Sequence, residues 1–163
     1  MEIELKEAAS PEDVLTFTDA VLTGEANRIA NLANMAALLN QYLPRINWVG
    51  FYLAEGASGD WVLGPFAGKP ACTRIARGRG VVGTALAQAK TLVVDNVLEF
   101  PDHIACDGDS RSELVIPLVS EGQVVGCLDV DSPEYGRFGP EDIRLLEMVA
   151  QKLGQHWSNF RSY

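Results

Sequence analysis

The chain has 163 residues, with 13 Lys+Arg against 22 Asp+Glu for a formal charge of −9, and 47% hydrophobic residues. That length and mixture describe one globular domain over residues 1–163, able to bury roughly 70% of its unfolded surface. The acidity excludes a nucleic-acid partner, which needs a basic stripe to release counterions, and leaves room for a cationic or zwitterionic ligand. Three cysteines, Cys72, Cys106 and Cys127, without any CxxC pair, are neither a zinc ribbon, nor a thioredoxin motif, nor a secreted disulfide scaffold. The first ten residues contain no apolar signal core, and no run nears the ~20 apolar residues of a membrane span. The expected location is therefore cytoplasmic, where thiols are kept reduced and a working disulfide is transient.

In chain order, Pro11 followed by Glu12 and Asp13 suits a helix start, and Gly24 separates that helix from a second. In the second, Ile29, Leu32, Ala36, Leu39 and Leu43 form one apolar stripe that Pro44 ends. Residues 47–53 are aromatic and β-branched and predict a strand. A Gly/Ser turn over 55–60 returns the chain into a strand from Trp61, making a hairpin. A short helix is expected over 81–89, then a strand over 91–94. Residues 95–112 lack periodicity, and a segment that long in a compact domain is usually functional or disordered. Strands over 114–119 and 124–130 are joined by a turn at Glu121-Gly122. A terminal helix opens at Gly139-Pro140, with Ile143, Leu146, Ala150, Leu153 and Trp157 as its stripe. This order predicts an α+β fold. A mainly antiparallel sheet carries the N- and C-terminal helices on one face and keeps the other free for a ligand pocket.

Gly78-Arg79-Gly80-Val81-Val82-Gly83 fits the GxGxxG pattern, but a dinucleotide site needs an apolar strand running into the first glycine. The lead-in here, residues 72–77, is short and basic. The simpler reading is that these glycines let a helix N-terminus approach its neighbour closely, where it could hold a ligand carboxylate. Strand parity puts Cys127, Asp129 and Asp131 on one face. Adjacent carboxylates suit either an exposed strand edge or a pocket for an ammonium group; the spacing of a calcium loop is absent, and no metal is expected. Cys106 follows His103 in the long polar segment, a setting for a reactive thiol rather than a core cysteine. His103 could serve it as a base, although no third member of a hydrolase triad is identifiable. Cys72 lies in similarly polar surroundings beside Arg74. Trp48 and Tyr52 share one strand face, as core packing or as an apolar cage for a methylthio group.

These stretches resemble the free methionine-R-sulfoxide reductases, which have the GAF fold. The matching segments are Ile46–Tyr52, Leu63–Lys69, Gly78–Thr84, His103–Asp107, Ser112–Pro117 and Leu128–Ser132. The glycine stretch and the Leu-Asp-Val-Asp-Ser strand alone indicate GAF; the His-Ile-Ala-Cys-Asp loop points to the reductases. The resemblance implies reduction of the R epimer of the free amino acid's sulfoxide. It makes Cys106 the nucleophile and Cys72 the resolving cysteine. It places Trp48 and Tyr52 around the methyl end of the substrate, with Glu113, Asp129 and Asp131 around its ammonium and sulfoxide oxygen. Many members carry a further cysteine in the glycine stretch, where this chain has Val82; Cys127 stands where an apolar residue is expected.

The implied chemistry has a thiolate attack the sulfoxide sulfur while a carboxylic acid, kept neutral by its neighbours, protonates the oxygen. The resulting sulfenic acid condenses with a second thiol, and thioredoxin reduces the disulfide by exchange. No bound cofactor is expected beyond that external reductant. A Cys72–Cys106 bond requires Cα atoms about 4.4–6.8 Å apart, so the long segment has to reach Cys72; Cys127 is the alternative resolving thiol. The rival reading is a non-catalytic GAF sensor of small ligands, although 163 residues leave little space for an output domain. A homodimer is expected from the resemblance and from Met35 and Leu38, which lie off the main stripe of the second helix.

Overall fold

The computed structural model describes residues 10–56 and 58–161. Four helices, α1 (Pro11–Gly24), α2 (Arg28–Tyr42), α3 (Gly80–Gln88) and α4 (Pro140–His156), accompany six strands. The strands are β1 (Trp48–Ala54), β2 (Trp61–Gly68), β3 (Arg74–Ile75), β4 (Leu92–Val94), β5 (Ser112–Ser120) and β6 (Gln123–Ser132). They form one sheet in the order β3-β2-β1-β6-β5-β4, with every neighbouring pair antiparallel.

Helix ends follow local chemistry. The Ser10 hydroxyl accepts from the Asp13 amide at 3.2 Å, directly before Pro11. The Asn27 side chain caps α2 by accepting from Ala30 at 3.0 Å. At α4 the Asp142 carboxylate reaches back to the Gly139 amide at 2.9 Å. Each contact satisfies an amide that the first helical turn leaves without a partner. The β5–β6 turn places Glu121 at φ 51° and Gly122 at φ 77°, the paired positive φ of a tight hairpin whose twist matches the strands.

Helices α1, α2 and α4 pack on one sheet face. Leu32, Leu39, Val49, Phe51, Leu128 and Leu146 lie at the centre of that core. Helix α3 covers the opposite face over Trp48, Tyr52, Ile75, Val115 and Cys127. The two-faced arrangement is the expected one. In β1 alternate residues serve the two sides, and because both are covered Trp48 to Tyr52 are all buried.

Three sequence expectations need correction. Ile29, placed on the α2 stripe, is 57% exposed, whereas Met35 and Leu38 are core residues. Helix α2 touches β1, β2 and α1 together, so its buried sector is wider than one stripe and rotated towards Met35. Self-association through Met35 and Leu38 thereby loses its premise. The basic lead-in at 72–77 contains strand β3, too short to leave a periodic signal. The aperiodic stretch after β4 holds a 3-10 turn at Val97–Glu99, with Val97 fully buried.

Candidate active site

Strand register assembles the polar floor of a pocket. Asp131 pairs with Trp48 on one side and Glu113 on the other; Asp129 pairs with Gly50 and Val115; Cys127 pairs with Tyr52 and Pro117. Strand β6 is central, so its carboxylates do not sit at an exposed edge. Glu113 and Asp129 are 7% and 4% exposed, and Asp131 is half-buried. One oxygen from each of these three carboxylates lies within 4.8 Å of the others. Their charge cannot be left unrelieved: burial raises Glu113 well above the usual carboxylate range, and the charges of Asp129 and Asp131 add to it. Asp129 is pushed up to about 6 by burial, held from going higher by the proton that Glu113 donates to it. Enclosure, Asp129 and Asp107 raise Asp131. The cluster therefore shares protons, and the Asp129 Oδ1 atom is buried without a partner. Such a site takes up a cationic ligand group or lends a proton. A small hard cation is the other group that three clustered carboxylates accommodate, but thiol chemistry requires none.

The wall beside the carboxylates is aromatic. Trp48 stacks between Tyr52 and Phe66, with ring centroids at 6.0 and 5.3 Å. Gly50 makes this possible, since a Cβ there would lie 2.3 Å from Phe66 Cβ and 2.8 Å from Trp48 Cη2. The polar ends of both rings tie down the chain that leads to Cys72. Trp48 Nε1 donates to the Lys69 carbonyl at 3.1 Å, and the Tyr52 hydroxyl donates to the Cys72 carbonyl at 2.9 Å. Core packing and pocket lining, alternatives in the sequence, are here the same role.

Cys72 and Cys106 form a disulfide with Cα atoms 5.6 Å apart. Both residues are half-buried, and Cys106 lies on the pocket wall. The long segment after β4 thus already reaches across to the β2–β3 connection. Arg79 holds it through a two-pronged ion pair with Asp102. With the bond formed the cavity is about 40 Å³, room for a few waters. Cys127 remains a free, fully buried thiol. Burial and the nearby Asp129 raise its pKa well above the ordinary thiol value, so it stays protonated.

Opposite the carboxylates, helix α3 begins at Gly80 with no side-chain cap. Gly80, Val81 and Val82 line the pocket. Gly83 lets that helix sit on the preceding turn, because a Cβ there would lie 2.9 Å from the Ala76 carbonyl oxygen. Close approach is thus the function of this glycine, and a dinucleotide crossover is excluded by the antiparallel sheet around it. His103 lines the same pocket and burial lowers its pKa. No hydrogen bond orients its ring among the described residues, and Cys106 is engaged by Cys72, so a Cys–His triad is not assembled. Sequence reasoning missed Asn47, Gly50 and Ser110, which position the site. They are ordinary residue types whose roles depend on what the chain brings beside them.

The fold and its pocket are those of a GAF domain carrying a redox-capable cysteine pair, and the GAF domain family model matches residues 19–157. The free methionine-R-sulfoxide reductase of Escherichia coli is 50% identical over 134 residues, covering 82% of this chain and 80% of that protein. The free methionine-R-sulfoxide reductase of Saccharomyces cerevisiae is 36% identical over 150 residues, 88% and 83% of the two chains. The X-ray structure of the Neisseria meningitidis enzyme in complex with its substrate superposes with a TM-score of 0.90 at 42% identity, covering 95% of each chain. The chain belongs to the free methionine-R-sulfoxide reductase family.

Proposed function

We propose that the protein reduces free methionine-(R)-sulfoxide to methionine, with Cys106 as nucleophile and Cys72 as resolving thiol. What supports this most is the Cys72–Cys106 disulfide on the wall of a pocket floored by three proton-sharing carboxylates. The α-ammonium of the substrate sits against Asp129 and Asp131, relieving the buried Asp129 Oδ1. Its α-carboxylate meets the uncapped amides at the start of α3. A peptide-bound residue carries neither charge, and burying these carboxylates against a neutral amide is costly. Trp48 and Tyr52 hold the methylthio end.

The Cys106 thiolate attacks the sulfoxide sulfur as a carboxylic acid of the cluster protonates the oxygen. Glu113 suits that donation, since it already holds a proton towards Asp129. Methionine leaves, and the oxygen remains on Cys106 as a sulfenic acid. The Cys72 thiol displaces it as water, forming the disulfide. An external dithiol, thioredoxin in a cytoplasmic setting, takes over the disulfide by exchange and restores both thiols. Substrate is turned over once the disulfide has been reduced, because attack requires the free Cys106 thiolate. Among the described residues no helix is long and apolar enough to cross a membrane.

The test is methionine formation from separated R and S sulfoxides with a thioredoxin system. Cys106→Ser should abolish turnover, and Cys72→Ser should yield about one methionine per chain and then stall with thioredoxin as the reductant. Sustained turnover by Cys106→Ser, or equal use of both epimers, defeats the reading.

A further inference from the structure

We propose that Asn47 is a positioning residue whose side-chain amide latches the Cys106 segment in the place where Cys106 meets Cys72. The proposal rests on the redox role given above to that pair.

Asn47 stands immediately before β1, and its backbone amide is fixed to the Asp131 carbonyl at 2.9 Å. Its Nδ2 donates twice, to Asp107 Oδ2 at 3.0 Å and to Ser110 Oγ at 3.1 Å. Asp107 follows Cys106 directly. Its other oxygen accepts from the Asp109 amide at 2.9 Å, which curls residues 107–109 into a turn. Lys69 Nζ lies 2.6 Å from Asp109 and 4.0 Å from Asp107, and Lys69 is three residues before Cys72. The latch therefore joins the segments that the disulfide joins, and it runs through an amide anchored to the sheet. The Asn47 Oδ1 atom is buried without a partner. Asparagine accepts that cost here for its two-way donor, a role no apolar residue of similar shape fills.

Contacts made when the segment lies across the pocket add to the equilibrium constant for closing the disulfide. Loss of a buried hydrogen bond to a carboxylate is worth about tenfold or more.

The test is the equilibrium constant of the Cys72–Cys106 disulfide in graded thiol–disulfide buffers, read by thiol alkylation, for wild type, Asn47→Ala, Asp107→Ala and Asp107→Asn. Both alanine variants should lower it about tenfold, a rise in potential of about 30 mV for this two-electron couple. Asp107→Asn keeps only one of the two acceptor oxygens that Asn47 and the Asp109 amide use, so its constant should fall between those of wild type and Asp107→Ala. The sulfenic acid should also live longer in Asn47→Ala, with a larger dimedone-trapped fraction after one turnover. Asp107→Ala gives the same reading from the opposite side if Asn47→Ala fails to fold. Constants within twofold of wild type for a folded Asn47→Ala or Asp107→Ala variant overturn the latch. Failure of wild type itself to form the bond defeats the functional reading instead.

Discussion

Replacing Asp129 by asparagine should make the protein more stable at neutral pH and less active. The Asp129 carboxyl is pushed up to about 6 in the folded chain from an ordinary value of 3.8, so folding disfavours its ionised form. An acid whose pKa is raised on folding binds more protons in the native state than in the unfolded one between those two values. Stability must fall as pH rises through that window. Below about pH 3.8 the penalty is absent; above about pH 6 it is complete. A difference of about 2 pH units at about 1.4 kcal/mol each sets the full penalty near 3 kcal/mol. Asparagine cannot ionise, keeps the volume, and can still accept the Glu113 proton. Urea denaturation of reduced protein should therefore show Asp129→Asn more stable than wild type by about 3 kcal/mol at pH 7. The gap should shrink to a few tenths of a kcal/mol by about pH 3.5. The kcat/KM for methionine formation at pH 7 should drop roughly 10–100-fold, the scale of a lost hydrogen bond to a charged group, because the carboxylate that faces the substrate ammonium is gone. A pH-independent gap, or wild type the more stable protein at pH 7, refutes the account of a cluster held together by shared protons. The cost in stability is what makes the pocket receptive to an ammonium group and a proton-accepting oxygen.

Two further perturbations separate the thiols and the aromatic wall. Cys127→Ala removes a buried sulfur that is not placed for chemistry, so it should cost about 1 kcal/mol in urea melts and leave multiple-turnover methionine formation within about twofold; arrest after one turnover would transfer the resolving role to Cys127. Gly50→Ala adds a Cβ 2.3 Å from Phe66 Cβ and 2.8 Å from Trp48 Cη2, so it should cost about 1–3 kcal/mol by overpacking and raise KM as Trp48 is displaced. An unchanged KM would show that the indole does not hold the substrate.

The sequence by itself determined the element types, the antiparallel sheet with helices on one face, and the carboxylate face of β6. These depend on local spacing: a 3.6-residue stripe makes a helix side, and alternation puts Asp129 and Asp131 on one surface whatever lies beside them. It also singled out Cys72, Cys106 and Glu113, on the resemblance of short segments. Only the tertiary structure decided that β6 lies between β1 and β5, which turned a potential exposed edge into a buried floor and brought Glu113 opposite Asp131. Pairing partners are set by packing over long separations, and no periodicity within one strand encodes them. The same holds for α2, where contact with two strands and α1 rotated the buried sector away from Ile29 and enclosed Met35 and Leu38. Asn47 is the clearest case. In the sequence it is the polar first residue of the strand expected over 47–53; 60 positions from Asp107, it becomes a hydrogen-bond donor to the segment of Cys106 only once the chain has closed over the pocket.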